Sequence, residues 1–528
     1  MGNITRRALL GGSLAAGAAL VLGGCSSPAP AQSGEGAAAE GATEASAPTT
    51  YTPDETISCD LVVVGAGISG LSASLEAAEQ GLSVVLLEKE AVLSGTMAGT
   101  EGIFGVDSKL QREANLSMPT QWELIETELE YTNWRTNSLL WRDVIDAAGE
   151  DIDWLVDHGA TFQNIDNYLG QSSHDTFHWW EGETGAISGQ ALGQAVADAG
   201  VDVRMSTPAV ALIKNGNAVT GLYAQGENGI LEVDAKAVLL SCGGLANNLE
   251  LLAEKTGWDL EGAMSLFPIN NVGDGLVMAT EAGARETPVS LMNVFSATGF
   301  APTDALVVGS TLQPTAVFVN ARGERFMPED LYIKKFFALA TNAWESQGET
   351  FCLVNGALID RMEQEGCYCG VAAVKAGDKL EGMRDQLEQA AASGESGVYK
   401  GETIEELAAA MGADPAVLSA TIERYNECCQ EGKDVDYGKS PEYLQSFAEG
   451  PYYAVRPTLC IFATMGGIDI DRQMRVLDEA GAPIEGLYSS GSASCMLYKE
   501  TYCYQVSGGM NAYCCYSGRE AARQVASL

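Results

Sequence analysis

Basic residues are scarce in this sequence. Against 71 aspartates and glutamates there are 30 lysines and arginines, which gives the 528-residue chain a formal net charge of −41. Such a charge repels nucleic-acid phosphates at every approach, so the composition excludes a nucleic-acid partner. We interpret the acidity as a source of solubility rather than as an acidic docking face.

The residue spacings that hold metals and haem are also absent. The chain has 13 cysteines and only 3 histidines, and no CxxC or CxxCH occurs. The local sequence therefore excludes zinc, a c-type haem and an iron–sulfur cluster, and we predict no metal site; a cluster assembled from distant cysteines is the alternative. Cys242 ends an apolar strand pattern and is typical of a buried small hydrophobe.

Beyond the N-terminus, no apolar run is long enough to cross a membrane. Residues 1–25 contain Arg6-Arg7, an apolar run and Leu22-Gly23-Gly24-Cys25, which predict a twin-arginine export signal with a lipoprotein cleavage site. Plain cleavage with a soluble product is the alternative. Residues 26–52 are small and polar and predict a disordered tether. We therefore expect an exported protein, held to the cytoplasmic membrane only through a lipid anchor on Cys25.

A glycine-rich turn follows the first apolar strand of the remaining chain. Gly65, Gly67 and Gly70 form a GxGxxG pattern between a strand and a helix, and a second strand ends at Glu88. In a dinucleotide-binding βαβ unit the glycines allow a tight turn, close approach of a pyrophosphate and helix–sheet packing. The acid accepts a hydrogen bond from a ribose hydroxyl. The pattern predicts such a unit here.

Strands and helices then alternate, as in a doubly wound α/β domain. Long amphipathic helical patterns dominate between about Trp258 and Glu449, and α/β character returns near the C-terminus. We therefore predict a nucleotide-binding domain in two pieces, 53–257 and 450–528, with a domain inserted at 258–449.

From Ser58 onward the chain resembles the soluble flavoprotein reductases related to fumarate reductase. This superfamily includes urocanate reductases, 3-ketosteroid dehydrogenases and the cardiac glycoside reductase of gut bacteria. The matching pieces, in chain order, are Gly65-x-Gly67-x-x-Gly70 with Glu88, Gly243-Gly244-x-Ala246-x-Asn248, Val272–Gly275 with Ala279, Asn320-x-x-Gly323-x-Arg325-Phe326, Thr464–Gly467 and Gly508-Gly509. The fold implied is α/β, a Rossmann-like FAD-binding domain with an inserted α+β capping domain.

The resemblance also implies FAD as the cofactor. In the family, the last helix directs its positive N-terminus at the flavin. Ser94–Thr100 contains no histidine for a covalent link, so we expect non-covalent binding. The cofactor-binding residues expected are Gly65, Gly67, Ser69, Gly70, Glu88, Lys89, Gly95, Thr96, Gly102, Ala209, Gly243, Asp274, Gly491, Gly508 and Gly509.

Departures from the family pattern bear on the substrate. Fumarate-type members hold a dicarboxylate with a histidine and an arginine and protonate it through a second arginine. The corresponding positions here are Ala463, Val506 or Ser507, and about Ile333. A site without these cations cannot offset the desolvation of two carboxylates, so we exclude fumarate reduction.

The resemblance suggests catalytic residues of another kind. Tyr504 and Gly508 match a Tyr-x-x-x-Gly arrangement in which a hydroxyl and an amide polarise a carbonyl. Tyr332 and Lys334 flank the position of the missing proton-donating arginine and are candidate donors. His178 is a further candidate, with Trp179 and Trp180 as walls for a flat ligand. For each of these side chains, ordinary packing is the alternative.

Together these features predict an exported FAD-dependent oxidoreductase acting on CH–CH groups. It would transfer a hydride from flavin N5 to an activated C=C bond, of the enone or aryl-acrylate type, in a neutral or aromatic molecule. We expect a terminal step of anaerobic respiration, with electrons from a membrane-linked cytochrome or a flavin-carrying donor. The alternatives are a ketosteroid-type dehydrogenase running the reverse reaction and an electron-relay flavoprotein without its own substrate.

Overall fold

The computed structural model describes residues 51–93, 95–168, 170, 172–267, 269–297, 313–334, 342–369, 374–394, 397–498, 502 and 504–528. The side chains of residues 293–297, Tyr332 and Tyr504 are outside this description, as is the predicted signal at 1–25. Tyr51–Leu528 forms one compact unit. In these ranges, no helix is both long and apolar enough to cross a membrane.

The first half of the chain alternates strands with helices. Its elements are β1 (Glu55–Val64), α1 (Ile68–Glu79), β2 (Val84–Leu87), β3 (Gly102–Phe104), α2 (Lys109–Glu113), α3 (Gln121–Tyr131), α4 (Ser138–Asp157), β4 (Phe162–Asp166), β5 (Phe177–Trp180), α5 (Ala186–Asp198), β6 (Asp202–Arg204), β7 (Ala209–Asn215), β8 (Ala218–Gly226), β9 (Gly229–Leu240), α6 (Leu249–Thr256), β10 (Met264–Ser265), α7 (Asp274–Glu281) and β11 (Glu286–Ala297).

The second half of the chain begins with the inserted domain and ends with strands and a helix of the FAD-binding domain. Its elements are β12 (Val317–Asn320), α8 (Leu331–Lys334), β13 (Thr350–Asn355), α9 (Gly356–Gln364), α10 (Met383–Ser393), β14 (Val398–Gly401), α11 (Ile404–Met411), α12 (Pro415–Glu431), β15 (Tyr452–Val455), β16 (Pro457–Ile468), β17 (Arg475–Leu477), β18 (Pro483–Ser489), β19 (Ser494–Cys495) and α13 (Gly509–Ala526).

The main sheet has the order β17-β18-β9-β1-β2-β6, with β8 and β7 attached through β9. β1 pairs in parallel with β2 and β9, so that Val64 lies between Leu87 and Leu240 in the register. The neighbouring residues Leu61 and Val62 point to opposite faces and are both fully buried, as parallel strands covered by helices require. The carboxyl ends of β1, β2 and β9 therefore meet at one edge of the sheet, where ligands of open α/β sheets bind.

The inserted domain is built on a second sheet, β12-β13-β15-β14. Alternate residues of these strands face opposite sides, so Phe318 belongs to one hydrophobic core while Val317 and Val319 belong to another. Helices α9 and α10 cover the first side through residues such as Leu358 and Leu387, and α11 and α12 cover the second. This is the α+β composition expected of the cap.

The predicted domain boundaries need correction. Residues from Trp258 to Met292, including Leu276 and Leu291, pack in the core of the FAD-binding domain rather than in the cap. β15 continues the cap sheet to Val455, beyond the predicted end at 449. Among the described residues, the cap cores span 316–455. The helix pattern used for the prediction does not separate α7, which serves the first domain, from the helices of the cap.

The last helix, α13, packs along α1 and connects the two ends of the unit. The buried Arg519 of α13 donates to Glu76 of α1 at 2.8 Å and forms an ion pair with Asp151 of α4. Arg523, one turn later and half-buried, also pairs with Glu76 at 3.0 Å. One guanidinium therefore joins three helices in an apolar surrounding.

We predict that Arg519→Ala lowers the free energy of unfolding by about 3–5 kcal/mol, because it leaves the buried Asp151 carboxylate without its counter-ion. Arg523→Ala removes a more exposed ion pair of the same helix and should lower the free energy of unfolding by about 1 kcal/mol or less. Urea denaturation of the holoprotein measures both losses. Equal losses in the two variants would contradict a special role for the buried arginine.

Candidate active site

A cavity of about 1050 Å³ lies at the carboxyl ends of β1, β2 and β9. The glycine turn after β1, the residues after β2 and the residues after β9 form one wall, and the start of α13 forms another. A group of aromatic side chains completes the lining. The lining thus has a polar and an aromatic part.

The glycine turn leaves room for a phosphate group beside the backbone. Gly65 has φ of +102°, and a Cβ atom there would lie 2.7 Å from the Cα of Cys242. A Cβ at Gly70 would overlap with the carbonyl oxygen of Gly65. By contrast, a Cβ at Gly67 would meet nothing and would project into open space. The N-terminus of α1 follows directly and has no acidic side chain in its first turn, which is the arrangement that binds pyrophosphate.

Acidic and basic side chains follow the turn along the polar part. The carboxylate of Glu88 accepts from the backbone N–H of Ala66 at 2.7 Å and of Glu90 at 2.8 Å. These bonds hold the carboxylate where a ribose hydroxyl would donate to it. Lys89 and Asp274 form a 2.6 Å ion pair in the cavity wall, so each neutralises the other.

The start of α13 reaches the cavity at Gly508, whose φ is +78°. A Cβ there would lie 2.6 Å from the backbone nitrogen of Phe104. Asn511 in the first turn donates to the Thr100 hydroxyl at 2.9 Å and to the Gly102 carbonyl at 2.8 Å. The helix N-terminus, with its partial positive charge, is therefore fixed against β3 and directed at the ligand space.

Most of the predicted cofactor residues come together around this cavity. Those that line it are Gly65, Gly67, Ser69, Glu88, Lys89, Gly95, Thr96, Gly102, Ala209, Gly243, Asp274, Gly491 and Gly508. Gly70 and Gly509 stand behind the lining, where they allow close packing: a Cβ at Gly509 would lie 2.5 Å from the Tyr498 hydroxyl. Their part in binding is therefore indirect.

Of the predicted catalytic residues, fewer lie at the cavity. Gly508 lines the cavity, whereas the side chains of Tyr504 and Tyr332 lie outside the described part of the structure. Lys334 is not in the lining; its ammonium donates to the Gly438 carbonyl at 2.6 Å and pairs with Asp330 at 2.9 Å. Both partners belong to the cap, so the described conformation directs this lysine away from the cavity.

His178 is buried behind the cavity wall. Its ring is hydrogen-bonded to the Ser108 hydroxyl at 3.0 Å and to the Thr176 carbonyl at 3.3 Å. Burial lowers the pKa of His178 to about 4. Because side chains alternate along β5, Phe177 and Trp179 line the cavity while His178 and Trp180 face the other way. Of the two tryptophans predicted as walls, only Trp179 is one.

The group of aromatic side chains that lines the cavity is not apparent as a whole from the sequence. Tyr168 packs on Phe177 and Trp179 with ring centroids 4.5 and 5.7 Å away, and Phe177 lies 5.0 Å from Trp179. Phe267 and Phe462 also line the cavity, 6.1 Å from each other. We call Tyr168, Phe177 and Trp179 the aromatic wall. The period of two in β5 was the one signal that could have placed part of it.

The charges of the lining are mostly negative. Its basic side chains are Lys89 and Lys375. Its acidic side chains are Glu88, Glu90, Glu101, Asp166, Glu183 and Asp274. Lys89 is paired with Asp274, and the exposed Lys375 lies 3.7 Å from Glu183. Ala463 lines the cavity as expected, and the described lining contains no arginine or histidine.

The chain matches a known protein family over most of its length. The family described as FAD binding domain matches residues 60–505. The chain belongs to this family. FAD is its cofactor, and the protein is an FAD-dependent oxidoreductase. The glycine turn fits the pyrophosphate of FAD, the carboxylate of Glu88 fits the ribose of its adenosine half, and the start of α13 fits the flavin.

Two curated relatives and one solved structure place the chain within the family. It is 32% identical over 480 residues to the vinyl phenol reductase of Lactiplantibacillus plantarum, covering 89% of this chain and 96% of the relative. It is 26% identical to the digoxin reductase of Eggerthella lenta, covering 100% and 96%. The open conformation of a flavocytochrome c3 fumarate reductase matches with 26% identity and a TM-score of 0.66, covering 90% of this chain and 79% of that structure.

Gly67→Ala tests the position of the cofactor. Since the added methyl group meets no protein atom, the variant should fold normally, but the methyl group would occupy the space of the pyrophosphate. We expect the dissociation constant of FAD to rise about tenfold or more, a loss of about 1.4 kcal/mol. Fluorescence titration of the apoprotein with FAD measures it.

Gly226→Ala is the matched control, because its Cβ would make ordinary contacts at 3.5 Å in the β8–β9 hairpin, away from the cavity. It should bind FAD as the wild type does. Wild-type affinity in Gly67→Ala would show that the pyrophosphate lies elsewhere.

The buried position of His178 predicts a pH dependence of stability. A free histidine has a pKa of about 6.5, and the folded value is lower. Between these values the unfolded chain binds a proton that the folded protein does not, so the contribution to stability falls as the pH falls, by up to about 1.4 kcal/mol per pH unit. Glutamine at this position does not titrate.

We therefore expect the stability difference between wild type and His178→Gln to shift in favour of the variant as the pH falls from about 7.5 to about 5. Urea denaturation at the two pH values measures the difference. The value at high pH is the control for any packing change that glutamine causes. A difference that stays constant would contradict the buried neutral histidine.

Proposed function

We propose that the protein reduces an activated C=C bond in a neutral, aromatic or enone-type small molecule, with FAD as the hydride carrier. The observation that carries the proposal is the part of the lining formed by the aromatic wall and the acids bonded to it, Glu101 and Asp166, which we call the substrate end of the cavity. The similarity to vinyl phenol reductase over nearly the whole of both chains supports it. Vinyl phenols are uncharged aromatic molecules with a conjugated C=C bond.

The charges of the cavity disfavour carboxylate substrates. Glu101, Asp166 and Glu183 lie at the substrate end, and Lys375, the one lysine there among the described residues, is exposed and next to Glu183. A dicarboxylate entering this space would lose its hydration and gain no buried cation, which costs several kcal/mol per ion. Fumarate is therefore a poor ligand for the described lining, and a neutral molecule avoids the cost.

The aromatic wall suits a flat ligand. The three rings of Tyr168, Phe177 and Trp179 are within 5.7 Å of one another, centroid to centroid, and present an apolar surface to the cavity. An aromatic ring stacked or packed edge-on against such a surface gains about 0.5–1.5 kcal/mol beyond its area burial. A vinyl phenol or a planar enone would gain this contact, whereas fumarate has no ring to contribute.

Reduction of a C=C bond requires one hydride and one proton. Bound FAD in its reduced form supplies the hydride from N5. The protein residues orient the substrate, exclude water and move the proton. The amide of Gly508 and the positive end of α13 stabilise negative charge that develops on a conjugated oxygen, and we propose that Tyr504 shares this task.

The electrons for FAD would come from outside the chain. We propose a membrane-linked cytochrome or a flavin-carrying protein as the donor, and an exported location with a lipid anchor at Cys25, as the N-terminal sequence predicts. The proposed respiratory role depends on this donor. Non-covalent attachment of FAD remains a prediction; the described lining, which contains no histidine, supports it.

Reoxidation of the reduced protein tests the proposed reaction. The holoprotein is reduced under anaerobic conditions with a viologen and mixed with 4-vinylphenol, an uncharged cyclic enone, 4-coumarate, urocanate or fumarate. We expect the fastest reoxidation with an uncharged conjugated molecule. The rate with fumarate should be at least about 100-fold lower, since an unpaired carboxylate that costs about 3 kcal/mol to desolvate has that effect.

Three results would contradict the proposal. Fast reoxidation by fumarate would show that the charge argument is wrong. Reduction of the oxidised protein by a saturated ketone, with no reoxidation by any alkene, would identify the dehydrogenase alternative. No reaction with any member of the panel would favour the electron-relay alternative.

A further inference from the structure

Glu101 lies at the substrate end of the cavity and has one hydrogen-bonding partner for its carboxyl group among the described residues. The hydroxyl of Tyr168 donates to its Oε2 at 2.6 Å. Glu101 is partly buried and lines the cavity together with Tyr168. The second carboxyl oxygen therefore remains available to a ligand.

The backbone around Glu101 is fixed next to the start of α13. The Glu101 carbonyl accepts from the Trp180 N–H at 3.0 Å. On either side of it, the Thr100 hydroxyl and the Gly102 carbonyl both accept from Asn511. The carboxyl group thus projects from a rigid segment that also contacts the helix end directed at the flavin, which is what positioning of a reacting group requires.

Tyr168 is held in an unusual conformation. Its φ is +48°, in the left-handed region, which is unfavourable for a non-glycine residue. The Asp166 carboxylate accepts from the Tyr168 backbone N–H at 2.8 Å and thereby stabilises the turn. This conformation places the Tyr168 ring in the aromatic wall and its hydroxyl on Glu101. Backbone strain of this kind is typical of functional sites.

The surroundings favour a protonated Glu101. Burial raises the pKa of Glu101, the charge of Glu183 raises it further, and the hydrogen bond from Tyr168 lowers it. The other acids of this region have different surroundings: Asp166 accepts from the Trp179 indole at 2.8 Å and from the Tyr168 N–H, and Glu183 is exposed and lies 3.7 Å from Lys375.

We propose that Glu101 is the proton donor of the reaction and that Tyr168 positions it. The inference rests on the proposed function. One carbon of the C=C bond receives the hydride from reduced FAD, the other receives the proton from Glu101, and the products are the saturated molecule, oxidised FAD and the Glu101 carboxylate. A proton from solvent, which the Tyr168 hydroxyl can relay, restores the carboxyl group for the next cycle.

Glu101→Gln tests the donor. The amide has nearly the same shape and still accepts from Tyr168, but it cannot release a proton. With viologen-reduced holoprotein and 4-vinylphenol or the cyclic enone, we expect the rate constant of reoxidation to fall at least about 100-fold. FAD content and the rate of reduction by the viologen should not change. Glu181→Gln, which removes an exposed acid outside the cavity lining, is the matched control for loss of one charge and should keep the wild-type rate.

Infrared spectroscopy tests the carboxyl group without turnover. The difference spectrum between wild type and Glu101→Gln should contain a carboxylic C=O band that titrates above the value of about 4.3 typical of an exposed glutamate. The titratable groups that act on Glu101 are Tyr168 and Glu183; Asp166 and Lys375 are further charged groups of the cavity lining. A band that titrates at or below the ordinary value would overturn the assignment.

Tyr168→Phe tests the positioning role. Loss of a hydrogen bond that lowers the pKa of Glu101 should move the alkaline limb of the reoxidation rate to higher pH, because the donor stays protonated longer. A merely structural tyrosine would change the rate without moving this limb.

The outcomes separate the two proposals. If the wild type is reoxidised by an uncharged alkene and Glu101→Gln reacts within about threefold of it, the donor is another group and the proposed function stands. If no alkene reoxidises the wild type, the proposed function fails, and with it the donor role of Glu101.

Discussion

The cavity depends on the close packing of the last helix against the first. Gly518 of α13 lies so near the Ser69 carbonyl of α1 that a Cβ atom would overlap with it. The Ser69 hydroxyl is also 2.6 Å from the hydroxyl of Ser490, which precedes the cavity residue Gly491. Because α1 carries the glycine turn and α13 carries Gly508, their separation sets the width of the cavity. The buried Arg519 maintains the same contact by joining α13, α1 and α4.

The polar part of the site could be predicted from sequence because its requirements are local. Gly65, Gly67, Gly70 and Glu88 lie within one βαβ unit, and each has a fixed geometric task there. The inserted cap was also predicted, yet its first boundary was placed too early, since α7 is as helical as the elements of the cap. Hydrophobic periodicity identifies a helix but does not identify the core on which it packs.

The substrate end could not be predicted in the same way. Glu101 and Tyr168 are 67 residues apart, and Tyr168 follows β4 in an irregular turn. Their contact arises because β3, β4 and β5 form a small sheet in the order β3-β5-β4, which no short pattern encodes. His178 could not be placed for a different reason. It is adjacent in sequence to Phe177 and Trp179 of the aromatic wall, but side chains alternate in β5, so His178 faces away from the cavity. A one-residue change in register reverses which side chains face the cavity.

A single property of the substrate end, partial burial with no buried cation among the described residues, explains both the substrate preference and the proton chemistry that we propose. In such surroundings a carboxylate ligand has no counter-ion, so anionic substrates are disfavoured. The same surroundings make ionisation of Glu101 unfavourable, so its proton is retained until an acceptor carbon is available. In a site that held a dicarboxylate, arginines would lower the pKa of a neighbouring acid and make it a poor proton donor at neutral pH. An arginine donor therefore belongs with an anionic substrate, and a carboxylic acid donor with a neutral one.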